Sequence, residues 1–545
     1  MGGWEEASAF YPRMASRLLT LRFPARLRRT LAPVFQALLK RGATRLNRKR
    51  REQFPEYFAR TLALLEAGGL PDEVGQWFGV MDVFQNAVSM VSRYDILKAS
   101  GIEISGIPAC SSLAVWGGSS DDGSMRHARN FDFPGVGVWD EAPSVVFCDP
   151  DEGLRYGFVS TRGADAPGCT AFNEAGLTLT AHTRFHRDVA FDKACVIDIG
   201  HEIIRRSRTL EEAVAIARSV GSASTWGFLI SSAEERDAVL IEMTAEAIGV
   251  ERAGEREHLE CTNRYRTSNL WNGELTTSPA FRVDSHAREQ RLRDAVTEAP
   301  DGLSRTDLEL LLGDLRDAGA LDGAESADRL AGNCIMSPIT VQSIVSEPDA
   351  GSIRVSVGRA PTGFGPYLSV HWHWDGEVGG HTLAHPAALR SAQTSTGEPL
   401  SDGEHSAVRS YVASSRLHME GRPNGEVREE MEAAVMSAPM EPHFRFLAGM
   451  LAVIDGDFPA ASNHFDAGLS CEFGDYRRAV LLLWASRVRH ANRERERADS
   501  ARQELLLVEG EDVAHLREVA IAETKRPKRS GALRGMVPDL FLVDA

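Results

Sequence analysis

The sequence predicts an α+β protein: a β-rich body at residues 110–385 between a helical N-terminal segment, 1–109, and a helical C-terminal region, 403–545, reached through a linker at 386–402. Three observations carry this. Leu18, Leu19, Leu27, Leu31, Phe35, Leu38 and Leu39 recur at near-helical spacing, and the pattern continues from Tyr57 to Tyr94. From about Ile102, short β-like runs alternate with turn clusters. Beyond the Ser-, Thr-, Gly- and Ala-rich stretch at 386–402, helical spacing resumes to about residue 524.

In chain order, Pro24 and Pro33 interrupt the first helical run, and Gly68-Gly69-Leu70-Pro71 breaks the second. Strands are expected at 112–116, 125–132, 144–147, 156–160, 169–172 and 177–180. The turns between them fall at Gly117–Gly123 and Asn173–Gly176. Two helices follow at 196–206 and 209–220, the second opened by Thr209-Leu-Glu-Glu212, a capping-box pattern. Strands resume at 226–230, 238–242 and 247–251, helices at 285–296 and 303–315, and strands at 339–345, 353–357 and 370–374. Pro442 to Phe465 is similar to one helical-hairpin repeat of the tetratricopeptide kind, a single unit where such arrays need about three.

A chain of 545 residues suggests about two to four domains. With 43% hydrophobic and 25% charged residues it can bury a core without a disulfide framework. A net charge of −16 argues against nucleic acid as a partner of the whole molecule. Residues 1–51 are the exception, with thirteen Lys and Arg against Glu5 and Glu6. That basic head, residues 13–51, suits an anionic partner such as a lipid surface; a solvated or packed helical arm accounts for it as well. The longest apolar run, Ala479–Ala485, is far short of a membrane span, and no secretory or myristoylation pattern opens the chain, so a cytoplasmic location is expected. Seven cysteines with no Cys-x-x-Cys pair fit a reducing compartment, most of them buried and inert.

The chemistry gathers at the start of the β-rich body. Cys110-Ser-Ser-Leu-Ala-Val heads one strand, and Arg129-Asn-x-Asp132 lies on the next, so a hairpin brings them together. Arg129 and Asp132 are an odd number of residues apart and cannot share one face of an ideal strand. A nucleophilic thiol needs a nearby cation, which Arg129 supplies, and a base. No His-plus-acid pair stands out. Scission of Ala109–Cys110 would create a base, an α-amine with a pKa of about 7.7–8.0, with Asp132 to hold it.

These residues resemble the cysteine N-terminal-nucleophile (Ntn) hydrolases, in the branch of acyl-coenzyme A:6-aminopenicillanic acid acyltransferase, related to choloylglycine hydrolase, penicillin V acylase and the acid amidases. Cys169-Thr-Ala-Phe-Asn173-Glu-Ala-Gly-Leu177 and Cys261-Thr-Asn263 are similar to two further family motifs. The likeness covers roughly residues 103–375. It implies a four-layer αββα sandwich, a pro-segment removed by cleavage at Ala109–Cys110, and catalytic roles for Cys110, Arg129, Asp132, Asn263 (oxyanion donor) and Asn173. Two departures stand out: the turn between Cys110 and Arg129 is about three residues longer than the family's usual one, and Ala109 stands where Gly is frequent.

The resulting expectation is a self-processing enzyme that hydrolyses or transfers the acyl group of a small amide or thioester through S-acyl-Cys110, with no cofactor and no metal. Two alternatives stay open: a phospholipase-B-like ester hydrolase on the same fold, and a non-catalytic helical-repeat scaffold fused to a retired Ntn fold. Arg288 and Arg291 read as surface charges or structural ties, Cys261 as a residue that could line the pocket, and His371-x-His373 as two ligands without a third.

Overall fold

A computed structural model describes residues 25–69, 79–92, 109–133, 136–137, 139–161, 164–275, 279–315, 333–374, 381–384, 401–419, 422–471 and 474–535. The expected linker at 386–402 lies almost wholly outside them.

The N-terminal segment forms α1 (Ala25–Gln53), α2 (Pro55–Gly68) and α3 (Val80–Ser92). Pro33 does not interrupt the first run but lies inside α1. Leu39, Ala43 and Leu46 recur every three or four residues and bury one face of that helix, which offsets an interior proline's cost of about 3 kcal/mol. The second run does break where expected, with Gly69 in the left-handed region at φ 64°. These helices are fastened to the body by polar side chains. Arg50 and Asp198 form a fully buried ion pair at 2.9 Å, Arg60 pairs with Asp165 at 2.8 Å, and Asp82 accepts the Trp226 indole N–H at 2.9 Å.

The body contains fourteen described strands and five helices. In order these are β1 (Ala109–Gly117), β2 (Gly123–Asp132), β3 (Pro143–Cys148), β4 (Tyr156–Thr161), β5 (Thr170–Asn173), β6 (Leu177–Thr183), α4 (Val196–Arg206), α5 (Leu210–Val220), β7 (Trp226–Ser232), β8 (Asp237–Met243), β9 (Ile248–Arg252), β10 (His258–Cys261), α6 (Ser268–Trp271), α7 (Pro279–Thr297), α8 (Arg305–Leu312), β11 (Thr340–Glu347), β12 (Ser352–Ser356), β13 (Tyr367–His371) and β14 (His381–Ala384). The strands make two antiparallel sheets, ordered β10-β1-β2-β11-β12-β13-β14 and β3-β4-β5-β6-β7-β8-β9. Alternation along each strand sends one set of side chains between the sheets and the other to an outer helical layer. Ala114, Trp116 and Met125 meet Leu229 and Leu240 between the sheets. Leu113, Val115 and Val345 pack outward with Leu292 and Leu308 of α7 and α8, while Ile230 and Ile241 pack outward with Ile199 and Val214 of α4 and α5. The described elements therefore stack as helix, sheet, sheet, helix.

The C-terminal region is helical, with α9 (Asp402–Met419), α10 (Asn424–Ser437), α11 (Pro442–Asp455), α12 (Phe458–Cys471), α13 (Asp475–Ala491), α14 (Arg495–Leu507), α15 (Ala514–Lys525) and α16 (Ser530–Leu533). Successive helices from α9 to α15 pack on one another. Gly449 lets α12 approach α11 closely, since a Cβ there would sit 2.5 Å from the Phe465 ring. No helix among the described residues is long and apolar enough to cross a membrane.

Candidate active site

Cys110 is the second residue of β1. Register places it opposite Phe131 of β2 and places Ser112 opposite Arg129. Both Ser112 and Arg129 face the second sheet: Ser112 Oγ is 3.1 Å from Thr180 Oγ1, and Arg129 donates to Thr170 Oγ1 at 2.6 Å and to the Ala181 carbonyl at 2.9 Å. The remaining reach of that guanidinium brings Nη2 to 3.4 Å from Cys110 Sγ. Asp132 sits on the opposite face of β2, as its odd separation from Arg129 requires. There Thr340 Oγ1 donates to Asp132 Oδ1 at 2.5 Å, while Oδ2 has no hydrogen-bond partner among the described residues.

Asn263 arrives through β10, a strand the sequence did not announce. This strand runs antiparallel to β1 with Ser112 opposite Cys261, so two residues back along β1 and two on past Cys261 bring Asn263 level with Cys110. Asn263 Oδ1 accepts the Cys110 backbone N–H at 2.9 Å, and Nδ2 donates to the Thr183 carbonyl at 3.1 Å.

Arg288 is the structural tie, not the surface charge, of the two readings the sequence left open. It is 1% exposed, far from a surface charge. It donates to the Cys110 carbonyl at 2.8 Å, to Ser111 Oγ at 2.9 Å and to Asn263 Oδ1 at 3.0 Å, and it pairs with Asp284 at 2.7 Å. The arginines of α7 gave no periodic signal to separate the inward one, and only the fold of α7 over the first sheet singles it out. Arg291 does behave as a tie, pairing with Asp314 and Glu298 at 3.1 and 3.0 Å.

Burial pushes the Cys110 thiol up, with Arg129 opposing, so in this intact chain the thiol keeps its proton. Burial also raises Asp132 to about 7, against the pull of Arg288 and then of Thr340. Between the sheets, His127 bridges Ser231 Oγ and Thr180 Oγ1 at 2.9 and 3.0 Å and is pushed down to about 3 by burial, which keeps it neutral.

Asn173 is not brought into this group by any bond it makes. Its Nδ2 donates to the Ile204 and Ser207 carbonyls at 2.8 Å, and its Oδ1 accepts from Ala175 and Leu177 N–H. It stands three residues along β5 from Thr170, roughly 10 Å at strand spacing, in a turn tied to the end of α4. Cys261 packs in the inter-sheet cluster of Leu229 and Leu240 rather than in the cluster that holds Cys110, with Arg184 Nη2 3.4 Å from its sulfur. His371 Nε2 is 3.0 Å from Ser369 Oγ. Among the described residues no group of three or more His, Cys, Asp or Glu is arranged to hold a metal ion.

The long turn after β1 is anchored rather than loose. Gly117 and Gly123 take positive φ at its ends. Arg126 gathers Ser120, Asp121 and Asp122 and donates to the Leu303 carbonyl at 3.0 Å. The additional residues thus dock against the loop ahead of α8.

Residues 121–315 match the family model of acyl-coenzyme A:6-aminopenicillanic acid acyl-transferase. This segment is similar to that acyl-transferase family. The match begins just past Cys110 and takes in Arg129, Asp132, Asn173, Asn263 and Arg288. Among solved structures, the chain is similar to an N-acylethanolamine-hydrolyzing acid amidase ortholog from Caenorhabditis elegans, at 13% identity and a TM-score of 0.28 over 44% of this chain and 93% of that one. A search of the curated proteins finds no match.

Proposed function

We propose that the chain is a self-processing cysteine Ntn amidase or acyltransferase, with 1–109 as its pro-segment and Cys110 as its nucleophile. One observation carries this reading: Cys110 has its sulfur within 3.4 Å of the Arg129 guanidinium and its backbone nitrogen 2.9 Å from Asn263 Oδ1. The atom that would become the α-amine already has its acceptor. In the precursor that amine does not exist, and Asp132 is the carboxylate whose charge acts on the Cys110 thiol; raised to about 7, it suits a thiol proton at neutral pH. Cys110 Sγ attacks the Ala109 carbonyl carbon while the carboxylate takes the thiol proton. The peptide C–N bond breaks, the nitrogen gains a proton, and Ala109 is left as a thioester. Water opens it to give chains of 109 and 436 residues.

In turnover the new α-amine takes the thiol proton, Sγ attacks the acyl carbonyl of an amide or thioester, and the leaving group departs with that proton. One Nδ2 hydrogen of Asn263 is committed to Thr183, and the other is free for the oxyanion, a donor worth about 10²–10³ in rate. Arg288 holds the Cys110 carbonyl and Asn263 Oδ1 together, so this alignment outlives the cut bond. Water or an amine then takes the acyl group. The test is to incubate processed enzyme with N-acyl p-nitroanilides and acyl-coenzyme A thioesters, then map adducts by peptide mass. An acyl group on Cys110, absent in Cys110→Ala, is expected; turnover that survives Cys110→Ala would overturn the reading.

A further inference from the structure

Two buried donors beside the nucleophile take no part in the steps above. Cys110 shares an apolar cluster with Phe131, Phe133, Trp139 and Val341. Trp139 is 7% exposed and meets Phe131 and Phe133 edge-on, with ring centroids 5.2 and 5.9 Å apart. Its indole N–H has no acceptor among the described residues. Gln342, 2% exposed, stands opposite Phe131 in β11. Its Oε1 accepts from Thr170 Oγ1 at 3.4 Å, and that hydroxyl accepts in turn from Arg129, so Gln342 is two hydrogen bonds from the cation that touches the thiol. Among the described residues Gln342 Nε2 also has no acceptor. Buried N–H groups left without partners are costly, and native interiors seldom keep two of them at one place without a use.

We infer that this aromatic cluster receives the acyl group, and that Trp139 and Gln342 select acyl groups carrying a hydrogen-bond acceptor oxygen within an otherwise apolar chain. The inference rests on the reading of Cys110 as the acyl nucleophile. Phe131 and Phe133 supply apolar walls, and an acceptor brought by the substrate would satisfy the two N–H groups that find none among the described residues. The buried Arg129 cation beside them favours an oxygen bearing partial or full negative charge over any cationic group. Loss of a donor serving the oxyanion would lower the rate for every substrate, whereas loss of a donor serving the acyl chain changes the discrimination between acyl chains.

The experiment compares p-nitroanilides of hexanoic acid with those of 4-oxo- and 5-oxohexanoic acid, on wild type, Trp139→Phe and Gln342→Leu, each checked for native circular dichroism. The wild type should prefer one oxo substrate over hexanoyl by about tenfold or more in kcat/KM. At least one variant should bring that ratio close to one by losing far more on the preferred oxo substrate than on hexanoyl. A wild type that turns over all three equally, or a ratio unchanged in both variants, would overturn the selection. So would a parallel loss on all three substrates, which would assign the donors to the oxyanion. Absence of turnover together with absence of any Cys110 adduct would instead bring down the nucleophile reading, and this inference with it.

Discussion

Replacing Asp132 with Asn tests the precursor chemistry at its base. The side chain keeps its shape and the oxygen that accepts from Thr340 at 2.5 Å, and loses only the ability to take a proton. With its pKa near 7, the carboxyl of the wild type is about one-tenth ionised at pH 6, half at pH 7 and nearly all at pH 8. Scission should therefore quicken roughly tenfold per unit below pH 6 and level off above pH 8. Asp132→Asn should slow it by about 10²–10⁴ and flatten the profile. Stability should move the other way. The folded chain keeps a proton that unfolded Asp releases near pH 4, so this group makes stability fall as pH rises from about 4 to 7, and the variant removes that slope. The assay follows the 109- and 436-residue chains by intact mass over time between pH 5 and 8.5. Scission of the variant at the wild-type rate, with the wild-type profile, would refute the reasoning.

Two other outcomes follow from the same contacts. Arg50→Met leaves Asp198 buried without its cation and should cost about 3–5 kcal/mol in thermal or denaturant unfolding, with much of that recovered in Arg50→Met/Asp198→Leu; equal losses in both would argue against an ion-pair origin. Asn173→Ala removes the side-chain bonds that tie the β5–β6 turn to α4 and should cost about 1–3 kcal/mol of stability while kcat of the processed enzyme stays within a few-fold. A loss of kcat at unchanged stability would restore Asn173 to the catalytic group.

Much of the hairpin that carries Cys110 and Arg129 was legible, because a turn cluster between two short runs fixes which strands are neighbours, and alternation fixes which residues share a face. The helix over 196–206 emerged with its expected limits for a similar reason, a strong stripe of Val196, Ile199, Ile203 and Ile204. β10 was not legible. Its four residues, His-Leu-Glu-Cys, show no run and no turn signal, yet its register delivers Asn263 to Cys110. Arg288 was hidden for a related reason: what distinguishes it from the other arginines of α7 is a set of partners 25 and 178 residues away. Pro33 misled because local propensity was weighed without the packed face downstream of it. The roles proposed for Trp139 and Gln342 could not be read at all, since an unpartnered donor is a property of the folded interior.

The central claim is that Cys110 is released as an N-terminal residue by its own chemistry, and intact mass with N-terminal sequencing of the purified chain addresses it most directly. The wild type should yield two chains, one ending at Ala109 and one beginning at Cys110, while Cys110→Ala stays a single chain of 545 residues. A wild type that remains one chain beginning at Met1 or Gly2, after prolonged incubation across pH 5 to 8.5, would contradict it.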